Sequence, residues 1–131
     1  INSDIGMGAN ISKTMTMHRF QSATGIEETD GLSSKVFNDT AAVEIVGNAD
    51  GTAGKASKVY IRNTGSSKEH FFYVALNNNA AAAASTETIG KLYGGDWMLI
   101  PWIATAATTH DICVAPSTTE TMTLEWMVFV E

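Results

Sequence analysis

The chain has 131 residues and a net charge of −6, with 44% hydrophobic and 17% charged residues. That length suits one domain with a core of its own, because chains of this size bury roughly two-thirds of the surface they expose when unfolded. The acidic balance, the lack of a basic run and the lack of an apolar stretch of the ~18 residues that a spanning helix needs argue against nucleic acid, anionic membrane surfaces and a helical membrane span.

The charged share lies below the ~25% usual in globular domains, which excludes a disordered chain and suggests that part of the surface is covered. Residues 66–131 carry seven acidic and two basic residues, and residues 1–65 carry seven and six, so the acidity is concentrated in the second half. The single cysteine, Cys113 in Ile112-Cys113-Val114, reads as a small buried hydrophobe. No activating base can be assigned to it, and a chain without disulfides does not resemble a stapled secreted module. A chain that starts at Ile1 is expected to have lost an initiator methionine or a longer leader, and no signal-peptide pattern is present.

In chain order, residues 1–12 are rich in Gly and Asn and read as an N-terminal arm. Lys13 to Phe20 alternates, with Met15 and Met17 on one face, as a half-buried strand does. Residues 21–42 are polar, carry turn chemistry at Thr24-Gly25 and Asp30-Gly31, show no helix period and are not counted among the strands. Val43 to Val46 is a short strand and Gly47 to Gly54 a loop. Ser57 to Asn63 alternates, with Val59 and Ile61 on one face and Lys58, Tyr60 and Arg62 on the other. A turn at Asn63-Thr64-Gly65 leads to a strand from His70 to Leu76. Asn77 to Thr88, with three asparagines and five alanines, reads as an exposed loop.

Ile89 to Tyr93 is a short extended or turn segment closed by Gly94-Gly95. Asp96 to Trp102 is a strand, and Pro101 puts its end at a sheet edge or at its finish, because proline donates no ladder hydrogen bond. His110 to Ala115 is stopped by Pro116, and Thr121 to Val130 is the longest and last strand. About seven to nine short antiparallel strands separated by Gly, Asn, Ser and Pro clusters predict an all-β sandwich or jelly-roll-like barrel. The expected organisation is an arm at 1–12 and a single β-sandwich domain at 13–131.

Several strands are apolar on both faces. Phe72, Val74 and Leu76 oppose Phe71, Tyr73 and Ala75; Trp97 and Leu99 oppose Met98, Ile100 and Trp102. Met122, Leu124, Trp126, Val128 and Val130 share a face, and the opposite face ends in Met127 and Phe129. A two-layer sandwich has one core, so a second apolar face needs another cover, and a neighbouring subunit supplies it most simply. The residues expected at self-association are Phe71, Tyr73, Met98, Trp102, Met127 and Phe129.

The run Tyr60-Ile61-Arg62-Asn63-Thr64-Gly65, then Phe72-Tyr73-Val74-Ala75-Leu76, then Ile89 to Trp102 with its Leu-x-x-Gly-Asp turn, and a closing strand Thr123 to Glu131, resembles small β-sandwich structural proteins of tailed-bacteriophage virions. The likeness covers residues 59–131. It implies a non-enzymatic capsid decoration (cement) protein on the outer surface of the virion head, stabilising the shell. Such proteins commonly form trimers, so it implies a homotrimer with the major capsid protein as second partner. Some grip the shell with an N-terminal arm, which here would use Ile5, Met7 and Ile11. A tail, baseplate or fibre component is the nearest alternative.

No catalytic residue, metal site or cofactor is expected. His18, His70 and His110 lack partners at ligand spacing, and adjacent His110 and Asp111 point to opposite faces of a strand. Asn48-Ala49-Asp50-Gly51 resembles the start of a calcium loop but lacks the later acidic ligand. There is no Gly-x-Ser-x-Gly elbow and no phosphate loop. Glu27-Glu28 reads as a solvated charge pair, and the sequons at Asn10 and Asn38 as chance matches in a Ser/Thr-rich chain. Trp97, Trp102 and Trp126 could alternatively form a sugar-stacking platform in a glycan-binding module.

Overall fold

The structure, a computed structural model, describes residues 2–4, 10–12, 28–29, 31–51, 56–76, 88–103 and 110–130. Two antiparallel sheets pack as a β-sandwich. The strands run β1 Asn2–Asp4, β2 Asn10–Ser12, β3 Glu28–Thr29, β4 Ser33–Phe37, β5 Val43–Val46, β6 Ala56–Asn63, β7 Phe71–Leu76, β8 Thr88–Tyr93, β9 Trp97–Ile103, β10 Ile112–Pro116 and β11 Met122–Val130. One sheet has the order β5-β10-β7-β8. The other has the order β3-β11-β6-β9, with β4 also pairing β11.

The core forms where the alternation of each sheet turns inward. Val59 and Ile61 of β6 and Leu124, Val128 and Val130 of β11 meet Phe72 and Val74 of β7 and Ile112 and Val114 of β10. Each fully buried side chain of this kind stabilises by about 1.5–3 kcal/mol relative to leaving it exposed. Phe37 from β4 closes one side, edge-on to Phe72 with ring centroids 5.1 Å apart. Cys113 is buried, as its sequence setting predicts.

A tight turn connects the two sheets. Gly94 and Gly95 turn β8 into β9: Asp96 N donates to Tyr93 O at 2.9 Å, and Asp96 Oδ2 accepts from Tyr93 N at 3.0 Å. Gly95 sits at a φ of 88°, which the third position of a type II turn requires. Pro101 lies on β9, which pairs with β6 alone among the described strands, so proline falls on an edge strand as its missing N–H demands.

The segment 21–42 departs from expectation. It contains β3 and β4, both paired to β11, with Glu28 opposite Val130 and Ser33 opposite Trp126. Only Phe37 of β4 is buried, so β4 is held by ladder hydrogen bonds and not by a hydrophobic pattern of its own. Thr88 to Tyr93 is a full strand, and its register shifts against β7 between Val74 and Ala75. Within the expected arm, β1 pairs with β2 as an antiparallel hairpin, Ser3 opposite Ile11. The strand expected at 13–20 lies outside the described residues, as does most of the loop expected at 77–88.

Candidate functional site

The outer face of the five-stranded sheet is built by the residues that alternate with the core positions of β11, β6 and β9. Met127, Tyr60 and Leu99 stand in one row across the three strands. Phe129, Lys58 and Pro101 form the next row, and Glu125, Arg62 and Trp97 the row on the other side. Tyr60 and Trp97 lie with ring centroids 6.4 Å apart. Ile103, at the end of β9, is 55% exposed. The result is an apolar centre flanked by Lys58, Arg62 and Glu125, a composition that fits a protein-facing surface better than open solvent.

The outer face of the other sheet carries a smaller aromatic group. Phe71 meets Tyr73 edge-on at 4.9 Å and Tyr93 at 5.0 Å. Lys91 Nζ sits 4.5 Å from the Phe71 ring centre and 5.5 Å from that of Tyr73, within cation–π range. Tyr73 also packs beside buried Ala75 and Ala115.

At one end of the sandwich, the β6–β7 loop, the β8–β9 turn and the β10–β11 loop enclose a polar cleft of about 320 Å³. Its floor is fixed by Asn63, which is fully buried: Nδ2 donates to Leu92 O at 3.0 Å and Oδ1 accepts from Gly65 N at 3.0 Å. Gly94 N donates to Ser67 O at 2.9 Å. On the rim, His70 Nδ1 lies 3.3 Å from Glu120 Oε2.

A third cluster is acidic. Glu44 shares a hydrogen bond with Asp111, and Asp50 Oδ2 accepts from Gly47 N at 2.7 Å. Partial burial holds the Glu44 carboxyl above the ordinary carboxylate range, and the negative charge of Asp111, the hydrogen bond to it and the charge of Asp50 add to the effect. Asp111 is buried, and its Oδ1 has no hydrogen-bond partner among the described residues. Asn48–Asp50 is a 3-10 turn, in which the Asp50 carboxylate caps the backbone. Among the described residues, no three His, Cys, Asp or Glu side chains come together as a metal site.

No protein-family model matches the chain, and no curated protein sequence matches it. Among solved structures, it is similar to a mitogen derived from Yersinia pseudotuberculosis, at 12% identity and a TM-score of 0.45, over 81% of this chain and 88% of that one. It is also similar to PliG of Aeromonas hydrophila, a periplasmic inhibitor of g-type lysozyme, at 17% identity and a TM-score of 0.39, over 86% of this chain and 93% of that one. Likenesses this remote carry no argument about function.

The six residues expected at self-association do not share a surface. Met127 and Phe129 lie on the outer face of the five-stranded sheet, and Phe71 and Tyr73 on the outer face of the other. Trp102 is a correction: it is buried in the core, and its Nε1 donates to His110 O at 2.7 Å. Met98 likewise packs against the core. The pairing of β9 with β6 brings Met98 opposite Ile61 and Ile100 opposite Val59, so that set of residues turns inward with its partners. The tryptophan platform fails for the same reason, because Trp102 and Trp126 contribute to the core while Trp97 faces outward. Ile5 and Met7 lie outside the described residues, and Ile11 is placed on β2.

Tyr60, Trp97 and Leu99 are the surface residues that the sequence reading left out of its interface. Tyr60 was already separable from the core by alternation with Val59 and Ile61. For Trp97 and Leu99, the inward side of β9 had to be known first.

Proposed function

We propose that this protein is a non-enzymatic virion structural protein, a capsid decoration protein that associates with copies of itself and with the major capsid protein on the outer surface of a phage head. The observation that supports it is the apolar outer face of the five-stranded sheet, where Met127, Tyr60 and Leu99 form a continuous row. A face of this kind gains stability when a second protein surface removes it from water, at roughly 25 cal/mol per Å² of apolar area before the costs of association. The low charged fraction and the resemblance of residues 59–131 to virion sandwich proteins support the same reading. Stabilisation of the shell would follow by mass action, since a protein that binds only the assembled form shifts the equilibrium away from disassembly.

The deciding experiment is the copy number of this chain per purified virion, by quantitative mass spectrometry against the major shell protein. A number near a simple ratio to the shell protein is the expected result. A small fixed number would move the protein to the tail, baseplate or fibre, and absence from particles would overturn the reading.

A further inference from the structure

The polar end cleft belongs to neither sheet face and plays no part in the docking proposed above. Its volume, about 320 Å³, falls at the lower end of the roughly 300–1,000 Å³ that small-molecule sites occupy. Three loops from different parts of the chain meet there, and hydrogen bonds set the walls before any ligand arrives: the buried bond from Asn63 Nδ2 to Leu92 O ties the β6 end to β8, and Thr64 N donates to Thr123 O at the start of β11. Asn63 alone ties the β6 end to Leu92 and to Gly65 by its side chain, and to Asp96 and Gly95 by its backbone. Gly94 approaches the Ser67 backbone so closely that a Cβ would lie 2.5 Å from Ser67 N and O.

The lining chemistry selects a ligand class. No Lys or Arg lines the cleft, and the Glu120 carboxylate stands on its rim, so a phosphate or carboxylate ligand would meet repulsion with no Lys or Arg to offset it. Met122 is the one large apolar side chain in the lining and is itself buried, so an apolar ligand has little to cover. What the walls offer is hydroxyls. Ser67 Oγ accepts from Glu69 N at 3.2 Å and from His70 N at 3.1 Å, which leaves its own hydrogen to donate. Ser66, Thr121 and Thr123 bring further hydroxyls to the lining. The Glu120 side chain is 72% exposed, and a carboxylate accepts two hydroxyl hydrogens side by side.

We propose that this cleft is a binding site for a neutral saccharide, with Glu120 accepting from vicinal ring hydroxyls while the Ser67 hydroxyl and the His70 side chain complete the contacts. The ligand is held by hydrogen bonding and not by ring stacking, and the affinity is correspondingly modest.

The test is a titration of the ¹⁵N-labelled full chain with the methyl glycosides of glucose, galactose, mannose and N-acetylglucosamine, each taken to about 50 mM, well above a dissociation constant of about 1 mM. The expected result is saturable shifts of the Gly65, Ser66, Gly94 and Thr121 amides with at least one glycoside. Glu120→Gln and Thr121→Ala, both at exposed positions, should keep the native spectrum, and Glu120→Gln should weaken binding by about tenfold, the effect of losing one charged hydrogen bond. Three results would each overturn the proposal: no saturable shift at the cleft with any glycoside, unchanged affinity in Glu120→Gln, or a cleft that responds to inorganic phosphate and not to the glycosides. None of them bears on the copy number in virions, so the two proposals fail separately.

Discussion

Asn63, at the end of β6, donates from Nδ2 to the carbonyl of Leu92 in β8, at 3.0 Å, and so joins the two sheets through a fully buried amide. Its Oδ1 also accepts from Gly65 N. Removing the side chain leaves a buried carbonyl and an amide without those partners. Asn63→Ala is expected to cost about 2–4 kcal/mol by chemical denaturation. A loss below about 0.5 kcal/mol would mean that water replaces the amide and that the tie is not structural.

Trp102 and Met127 make a contrasting pair. Trp102→Ala empties a core position and breaks the bond to His110 O, so it should lower stability by about 3–5 kcal/mol. Met127→Lys alters the outer face and should leave the melting temperature within about 4 °C of the parent. By sedimentation velocity, Met127→Lys should dissociate any self-assembly that the parent forms. A parent that is monomeric at high concentration, or a Met127→Lys chain that assembles as before, would remove this face from the proposed interface.

Gly94 tests the close crossing beneath the end cleft. Gly94→Ala puts a methyl group against the Ser67 backbone, which cannot yield as a flexible side chain would. The β6–β7 loop must then move, and thermal unfolding should show a loss of about 2 kcal/mol or more. Gly90→Ala serves as the comparison, because a Cβ there meets nothing within 4 Å. Equal losses in the two variants would show that strand propensity and not the crossing sets the cost.

Glu44 predicts a pH dependence. Its folded pKa lies above the ordinary 4.5, so the folded state holds the proton more tightly than the unfolded chain. The stabilising contribution is therefore present at acid pH and is lost as pH rises from the ordinary carboxylate value through the raised one. At neutral pH Glu44→Gln should be more stable than the parent, and the difference should shrink as the solution is acidified. The effect should not exceed about 1 kcal/mol, because Glu44 is only partly covered and water screens much of the repulsion. A Glu44→Gln chain that is less stable at neutral pH would show that the carboxylate is engaged favourably instead.

Much of this architecture was legible in the residues themselves. Alternation at 57–63, 71–76, 97–102 and 122–130 separated two sets of side chains in each strand, and the structure keeps every one of those sets together on one face. Turn chemistry at Gly94-Gly95-Asp96 was readable from backbone physics alone, which also confined Pro101 to a sheet edge or a strand's finish, and the sheet order makes it an edge. The strands β3 and β4 were not, because their pairing with β11 is satisfied by backbone groups that every residue carries.

Which of two apolar faces turns inward is not a property of one strand. In β9, Trp97 and Leu99 are as hydrophobic as Met98, Ile100 and Trp102, and the register against β6 decides between them. The same holds for the end cleft, where His70 and Glu120 are distant in the chain and meet because the β6–β7 and β10–β11 loops leave the sandwich at the same end. Composition and periodicity determined an all-β chain with more apolar surface than one core can hold. Sheet order and register, which depend on pairing between remote segments, decided where that surface lies.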